Sequence, residues 1–376
     1  MSLHLAVALD ATGWHPASWR EPGARAGELF TAGYWTDLVL LAQRGLLDLV
    51  TIEDGYGMQA PDDRTDQVRG RLDATLVAAR VAPATSGIGI VPTAVVTHSE
   101  PFHISKAIAT LDYVSAGRAG VRVRVTGRPD EAALFGRRAA PDRDELFAEA
   151  GDAVEVLRRL WDSWEDDAEI RDTATGRFVD REKLHYIDFE GRFFSVRGPS
   201  ITPRPPQGQP IVAALAHVPV AFRLVGTHAD VGFVTPQETA DIPGILGAIH
   251  AAREIAGRDT VHVLGDLLVV LDPTAEAAAA RLDRLDTLAG AELTSDARIV
   301  AGTPAQLADL IEEWHAAGLS GVRLRPATHA HDLPLIVDAL VPELQRRGLH
   351  RTAYEAATLR GLLGLSRPAN RYADQV

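Results

Sequence analysis

The sequence predicts a closed (β/α)8 barrel, and two observations carry this prediction. Eight short apolar runs rich in β-branched residues recur along the chain, as expected for strands that are covered on both faces. Helical periodicity fills the intervals, and strands that alternate with helices form parallel sheets. An open doubly wound sheet is the alternative, but no G-x-G-x-x-G motif follows an early strand, which weakens it. The predicted strands are residues 3–10, 47–54, 87–96, 120–126, 210–216, 229–235, 262–272 and 321–327.

Cap and stop signals delimit several of the predicted helices. The helical run that begins at Glu28 ends on Gly45, a typical helix stop. Thr303 is placed to cap a helix whose first residue is Pro304, a favoured position for proline. Further helical periodicity covers residues 66–83, 103–118, 144–164 and 333–348.

One long segment interrupts the alternation between the fourth and fifth strands. Residues 165–209 are first acidic, then aromatic and then proline-rich, and YIDFEGRFFSV within them predicts a small hairpin that turns at Gly191. Insertions of this length are more often functional than neutral, so we expect a cap over the barrel. We expect one domain over residues 1–376, whose polar extension, residues 348–376, wraps the barrel or a partner subunit.

Composition narrows the class of protein. The chain has 376 residues, a net charge of −13 and no cysteine. The absence of cysteine excludes disulfides, thiolate metal sites and cysteine nucleophiles. The acidic balance disfavours a nucleic-acid binder, which needs a basic face. The N-terminus lacks a signal-peptide pattern and no apolar run is long enough to span a membrane, so we expect a cytoplasmic protein.

Polar residues concentrate where the predicted strands end, which is where barrels of this kind place their chemistry. Each has a structural alternative, because buried arginine is usually paired with a carboxylate and most loop histidines are ordinary surface residues. The HAHD run at residues 329–332 has no carboxylate at a recognised metal-site spacing, so we expect no metal. The residues at these ends are Asp10, His15, Glu53, Asp54, Thr93, Thr97, His98, Arg122, Arg124, Thr126, His217, Thr235, Arg325, His329, His331 and Asp332.

The fourth strand, GVRVRVT, places two arginines in a strand that is expected to be covered on both faces. Its valines share one face and Arg122 and Arg124 share the other. Helices cover the outside of a barrel, so we predict that the valines pack outward against them. The two guanidinium groups then point into the barrel near its carboxyl end.

Several stretches resemble the bacterial-luciferase-like flavin-dependent monooxygenases, closest to the nitrilotriacetate monooxygenase branch. The most specific are GPSITPRPPQGQP (residues 198–210) and the C-terminal run from residue 333 to 372; the resemblance covers most of the chain. It implies a barrel that assembles as a dimer or tetramer. It also implies reduced FMN, delivered by a separate NAD(P)H-dependent flavin reductase, which reacts with O2 to a C4a-peroxyflavin that oxygenates a small organic substrate.

The resemblance also implies positions near the flavin, and some of them differ here. Glu53 and Asp54 match an acidic pair near the flavin ring, and Thr93 matches a threonine that reaches it. Arg122 stands where the family has an asparagine, and Phe147 stands where it has a phosphate-binding tyrosine. The family's Gln-Ala-Gly-Ser-Ser phosphate loop is here the run from Ala214 to Val218, and a nearby family glycine is Ala221.

Two interpretations follow from the altered phosphate pocket. In the first, Arg122, Arg124 and His217 supply contacts that hydroxyls and amides no longer make, because arginine binds phosphate well. In the second, the chain uses a deazaflavin or is a non-catalytic ligand-binding relative. His98, His217 and His329 are the candidates for moving a proton, since the histidine pKa lies near working pH.

Overall fold

The computed structural model describes residues 3–59, 64–258 and 260–373. Within these ranges, eight parallel strands close into a ring, which confirms the predicted barrel. In chain order the strands are β1 (His4–Leu9), β2 (Leu49–Ile52), β3 (Gly89–Val95), β4 (Gly120–Arg124), β5 (Glu169–Asp172), β6 (Arg177–Val179), β7 (Phe189–Glu190), β8 (Ser195–Val196), β9 (Ile211–Ala216), β10 (Val231–Val234), β11 (His262–Leu271), β12 (Arg298–Gly302) and β13 (Gly321–Pro326).

The ring runs in the order β1, β2, β3, β4, β9, β10, β11, β13 and back to β1. The short strand β12 lies outside the ring and pairs in parallel with the second half of β11. We did not predict β12 from its short RIVAG sequence. In the structure, this strand is only partly buried.

Helices cover the outside of the ring, and a short one at the C-terminus closes its amino end. They are α1 (Ala32–Arg44), α2 (Ala74–Val81), α3 (Pro101–Val114), α4 (Pro129–Phe135), α5 (Arg143–Asp162), α6 (Pro219–His228), α7 (Ile242–Ile255), α8 (Ala275–Ala289), α9 (Pro304–Ala316), α10 (His329–Leu335), α11 (Val341–Arg346) and α12 (Leu359–Leu362), with a π-helical turn at Ile336–Leu340. The predicted cap of α9 is confirmed, since Thr303 accepts the backbone N–H of Gln306.

Several helix boundaries differ from the prediction; α1, for example, begins at Ala32 and not at Glu28, because Thr31 caps it there. Helix α2 begins at Ala74, well after residue 66, because the Asp73 carboxylate accepts the backbone N–H of Leu76 and caps it there. The helical run after the last barrel strand begins at His329 and not at residue 333.

Strand alternation divides the core into two layers. Val121 and Val123 pack outward in the large cluster between the sheet and the helices, as predicted. Val91, Phe233 and Leu264 belong to a second cluster inside the ring.

The C-terminal extension closes the amino end of the barrel. Leu359 of α12 is fully buried in the inner cluster, together with Leu363, and the backbone N–H of Leu359 is bonded to the carbonyl of Gly117 at 2.9 Å. The extension therefore wraps the barrel of its own chain.

The segment of residues 165–209 lies along the outside of α5. Phe189 packs with Val156 and Leu160 of that helix, and the predicted hairpin is formed by β7 and β8. His185 stacks on Tyr372 of the C-terminal extension with ring centroids 5.0 Å apart. These contacts lie on the barrel wall, and the capping role of the segment stays a prediction. No helix in the described ranges has both the length and the apolar character that a membrane crossing requires.

Leu359→Ala is expected to destabilise the protein by about 2–5 kcal/mol, because it leaves a cavity where an apolar side chain fills the barrel end. Chemical denaturation measures the change. Leu76→Ala is the matched control, since that leucine is 71% exposed, and it should change the free energy of unfolding by less than about 0.5 kcal/mol. Similar losses for both variants would show that α12 does not close the barrel.

Candidate active site at the barrel mouth

The carboxyl ends of the eight ring strands define the barrel mouth, and most of the side chains described here that point into it are charged. Thr93 on β3 and Arg122 on β4 are paired across the sheet and face the inside of the ring. Arg323 on β13 and Asp266 on β11 are also in register and face inward. The prediction that Arg122 points into the barrel is confirmed.

Glu53 joins the two sides of the mouth. It follows β2 and is buried, and Arg122 donates to its Oε2 while Nη1 of Arg323 lies 3.5 Å from its Oε1. Nε of Arg122 donates to Oγ1 of Thr93 at 3.0 Å. Burial acts to raise the pKa of Glu53, but the guanidinium groups of Arg122 and Arg323 outweigh it and hold that pKa below its ordinary value.

Asp266 is the second buried carboxylate of the mouth. It is fully buried and accepts from Nε of Arg323 at 2.8 Å and from Nε of Arg325 at 2.9 Å. Arg325 continues the chain of ion pairs to Asp296 at 2.6 Å. Burial would raise the pKa of Asp266, but the two arginines lower it below its usual range.

Aromatic rings shield these guanidinium groups. Arg323 lies 3.9 Å from the ring centroid of Phe233, and Arg325 lies 4.7 Å from that of Trp14. We call Glu53, Thr93, Arg122, Asp266, Asp296, Arg323 and Arg325 the mouth network.

Sequence reasoning missed three members of the network, namely Asp266, Asp296 and Arg323. A signal was present for two of them. Asp266 interrupts the apolar run of a buried strand and therefore needs a cationic partner. Arg323 and Arg325 repeat the alternation of Arg122 and Arg124, which points both pairs into the ring.

Asp54 differs from its neighbour Glu53. Its carboxylate accepts the backbone N–H groups of Gly55 at 2.7 Å and Ala74 at 2.8 Å, so it holds the loop that leads to α2. Nη1 of Arg124 donates to the backbone carbonyl of Asp54 at 2.6 Å. The structure thus brings Glu53 into the mouth network and turns the Asp54 carboxylate to the backbone.

His98 lies in the loop after β3 and is buried. Its backbone is left-handed, with φ of 67°, and its ring stacks on Phe135 at 5.1 Å. Within the described residues, neither ring nitrogen has a hydrogen-bond partner. Burial lowers the pKa of His98, so the ring is neutral near pH 7.

The other two candidate histidines have different environments. His329 is buried, its Nδ1 lies 3.4 Å from the hydroxyl of Tyr34, and burial lowers its pKa to about 3. It therefore stays neutral and is a poor proton carrier at working pH. His217 follows β9 and is exposed at the edge of the mouth.

The HAHD run does not gather its side chains. His331 contacts Asp272 at 3.0 Å, while Asp332 accepts the backbone N–H of Thr328 at 2.7 Å and is paired with Arg281. In the described ranges, no three His, Asp or Glu side chains are grouped to hold a metal ion.

Several cavities open beside the mouth network, and the one that Thr93 lines has a volume of about 430 Å³ and also adjoins Asp54 and Tyr56. Another of about 470 Å³ is lined by Trp14, Leu268, Asp296 and Arg325 among others. A smaller one of about 150 Å³ adjoins Asp10, whose pKa is raised by burial.

The segment from Ala214 to Val218 forms the end of β9 and leads into α6. Val218 precedes α6 and makes no side-chain cap. The first helical residue, Pro219, has no N–H group, and the N–H groups of Ala221 and Phe222 donate to the carbonyl of Val218 at 2.9 and 3.1 Å, so Val220 carries the first N–H group of the helix. Phe147 packs against the outer core cluster.

Asp266→Asn is expected to lower the free energy of unfolding by about 3–5 kcal/mol, because it leaves two buried guanidinium groups without their shared charge. Chemical denaturation at neutral pH measures this. Asp338→Asn removes the same charge from an exposed ion pair with Arg44 and should cost less than about 1 kcal/mol. Equal losses would contradict the structural role of Asp266.

The contribution of Asp266 is expected to depend on pH. A carboxyl whose pKa is lowered by folding stabilises the protein above its unfolded pKa, about 3.9, and loses this effect as the pH falls through the folded value. The stability difference between the wild type and Asp266→Asn should therefore shrink below about pH 4. A difference that stays constant there would contradict the lowered pKa.

Comparison with known proteins places the chain in a family. Residues 12–321 match the family of luciferase-like monooxygenases. The chain is 31% identical over 436 residues to N-acetyl-S-(2-succino)cysteine monooxygenase of Bacillus subtilis (strain 168), covering 99% of this chain and 98% of the relative. It is also 31% identical over 445 residues to nitrilotriacetate monooxygenase component A of Aminobacter aminovorans, with 99% and 98% covered.

A solved structure extends the comparison to three dimensions. Riboflavin lyase, solved with modified FMN and riboflavin, matches with a TM-score of 0.88 and 25% identity over 99% of this chain and 98% of that chain. Together with the family match and the closed barrel, these relatives show that the chain is a flavin-dependent type of oxidoreductase and belongs to the luciferase-like monooxygenase family.

Proposed function

We propose that this protein is a monooxygenase that uses reduced FMN and O2 to oxygenate a small organic molecule, with the reduced FMN supplied by a separate NAD(P)H-dependent flavin reductase. The observation that carries the proposal is the set of unsatisfied polar atoms at the mouth of a barrel of this family. The name of the Aminobacter relative, a component A, supports a two-component system.

The residues at the mouth fit the pyrimidine edge of a flavin. This edge carries one N–H between two carbonyl oxygens, so it needs an acceptor flanked by donors. Within the described residues, Oε1 of Glu53 accepts no hydrogen bond, and Nη1 of Arg122 donates none. Arg124 uses only Nη1, on the carbonyl of Asp54. Glu53 is therefore proposed to accept from the ring, and Arg122 and Arg124 to donate to it.

The charge around the mouth network suits the reduced form of the flavin. The three guanidinium groups of the network, on Arg122, Arg323 and Arg325, are matched by its three carboxylates, on Glu53, Asp266 and Asp296. Arg124 adds a fourth guanidinium group beside the network, and its hydrogen bond goes to a backbone carbonyl, that of Asp54. Reduced flavin carries negative charge on its ring near neutral pH, and a positive surplus in a partly buried site stabilises it.

The phosphate is proposed to bind where β9 leads into α6. The backbone N–H of Val220, the first that α6 carries after Pro219, and the exposed ring of His217 are the donors proposed there, while the segment from Ala214 to Val218 has no hydroxyl.

When bound, reduced flavin supplies the electrons and the activation of O2 that oxygen transfer requires. The contribution of this chain is to orient the ring and to handle protons. His98 is the proposed proton carrier, because neither of its ring nitrogens has a partner in the described residues and both can face a ligand. His329 is proposed to contribute a neutral hydrogen-bonding group, and His217 is proposed to contact the phosphate. We also propose that the protein acts as a homodimer or homotetramer.

The test is a titration of purified protein with FMN, reduced FMN under anaerobic conditions and a deazaflavin, followed by fluorescence or calorimetry. Reduced FMN is expected to bind in preference to oxidised FMN. Tight binding of the deazaflavin alone would overturn the proposal and favour a deazaflavin-dependent oxidoreductase, the candidate that the hydroxyl-free phosphate segment supports. Binding of none of the three would indicate a non-catalytic relative.

Arg124→Gln is expected to weaken the binding of reduced FMN about tenfold, the loss of one charge-assisted hydrogen bond. Its free energy of unfolding should change by less than about 1 kcal/mol, since the side chain of Arg124 holds a single backbone carbonyl. Arg44→Gln, which removes an exposed arginine far along α1, is the control and should bind reduced FMN as the wild type does. Unchanged affinity in Arg124→Gln would remove Arg124 from the site.

A further inference from the structure

A second polar cavity lies at the amino end of the barrel, opposite the mouth. Its volume is about 590 Å³, and it lies between the C-terminal extension, the end of α5 and the loop after α7. Asp230, immediately before β10, lies at its base and is buried. The proposed flavin site uses none of the residues that line this cavity.

Among the described residues that line the cavity, four carry guanidinium groups and two carry carboxylates. Asp230 is approached by Arg158 at 2.9 Å, Arg258 at 3.3 Å and Arg360 at 3.8 Å. One carboxylate thus faces three positive charges. The other acidic residue of the lining, Asp162, is already shared between Arg204 at 3.0 Å and Arg371 at 3.4 Å, and Arg371 also contacts Glu155 at 3.0 Å.

This local excess of positive charge contrasts with the net charge of the whole chain, which is −13. The pKa of Arg360 is lowered by burial, and the nearby charge of Arg158 lowers it further against the opposing effect of Asp230. Nε of Arg158 is buried and has no hydrogen-bond partner within the described ranges. Arg158 and Arg360 thus share one described carboxylate, Asp230, and one buried nitrogen of Arg158 has no acceptor among the described residues.

We propose that this cavity binds a multiply charged oxyanion, such as a phosphate group or a small polycarboxylate. Guanidinium groups bind both in bidentate fashion, and hydroxyl groups of Thr260 and Ser366 in the lining add neutral donors. The anion would contact the barrel through Arg158 and the C-terminal extension through Arg360. Its binding fastens the extension, whose leucines close the barrel, to the barrel wall.

The test is calorimetric titration of the whole protein with inorganic phosphate and, separately, with citrate, at constant ionic strength. We expect saturable binding of at least one of them and slower proteolysis of the C-terminal extension in its presence. Binding of phosphate alone identifies a phosphate group as the ligand, and binding of citrate alone identifies a polycarboxylate. Failure of both anions to bind would overturn the proposal.

Variants locate the binding site. Arg258→Gln is expected to weaken binding of the anion by at least about tenfold, because one charge-assisted contact is lost. Thr260→Val, which removes one exposed hydroxyl, should weaken binding of the anion less than Arg258→Gln does and leave the fold intact. Arg44→Gln and Arg124→Gln are the controls at the surface and at the mouth, and both should bind the anion as the wild type does. Loss of binding in Arg124→Gln with wild-type affinity in Arg258→Gln would place the anion at the mouth and overturn the proposal, whatever the outcome of the flavin titration.

Discussion

The pairing of buried arginines with two buried carboxylates is the constraint on which the barrel mouth depends. Asp266 is shared by Arg323 and Arg325, and Glu53 is shared by Arg122 and Arg323. Removing any of these charges from water is costly unless its partner is in place. The strands must therefore keep their register for the partners to meet. At the opposite end, apolar side chains of the C-terminal extension close the inside of the same barrel.

This pairing also determines what the mouth offers to a ligand. Arg122 is fixed by Thr93 and Glu53, which leaves one terminal nitrogen of a rigid guanidinium group for another partner. A group held by packed neighbours loses little entropy when it binds. The family resemblance implies an asparagine at this position, so the arginine changes the charge of the site while the barrel around it is preserved.

The sequence was sufficient to predict the ring, since eight apolar runs separated by helices leave few alternatives, and strand alternation correctly pointed Arg122 inward. The sequence was not sufficient to predict that the side chains of Glu53 and Asp54 have different roles. The carboxylate of Asp54 binds backbone N–H groups of its own loop, and this depends on a loop conformation that no pattern encodes. Asp266 was hidden in an apolar run, and its partners come from a strand about sixty residues later. The path of residues 165–209 along α5 depends on Phe189 and its contacts, which their composition does not reveal.

The central claim is that Glu53 positions Arg122 for the reduced flavin, and Glu53→Gln tests it most directly. The decisive measurement is the affinity of this variant for reduced FMN under anaerobic conditions. Our account predicts that this variant binds reduced FMN about tenfold more weakly, because the charge that orients Arg122 is lost. This loss is expected to outweigh the removal of a negative charge that repels the anionic flavin. Binding that is unchanged or tighter would contradict it, since this would show that Glu53 only repels the anionic flavin.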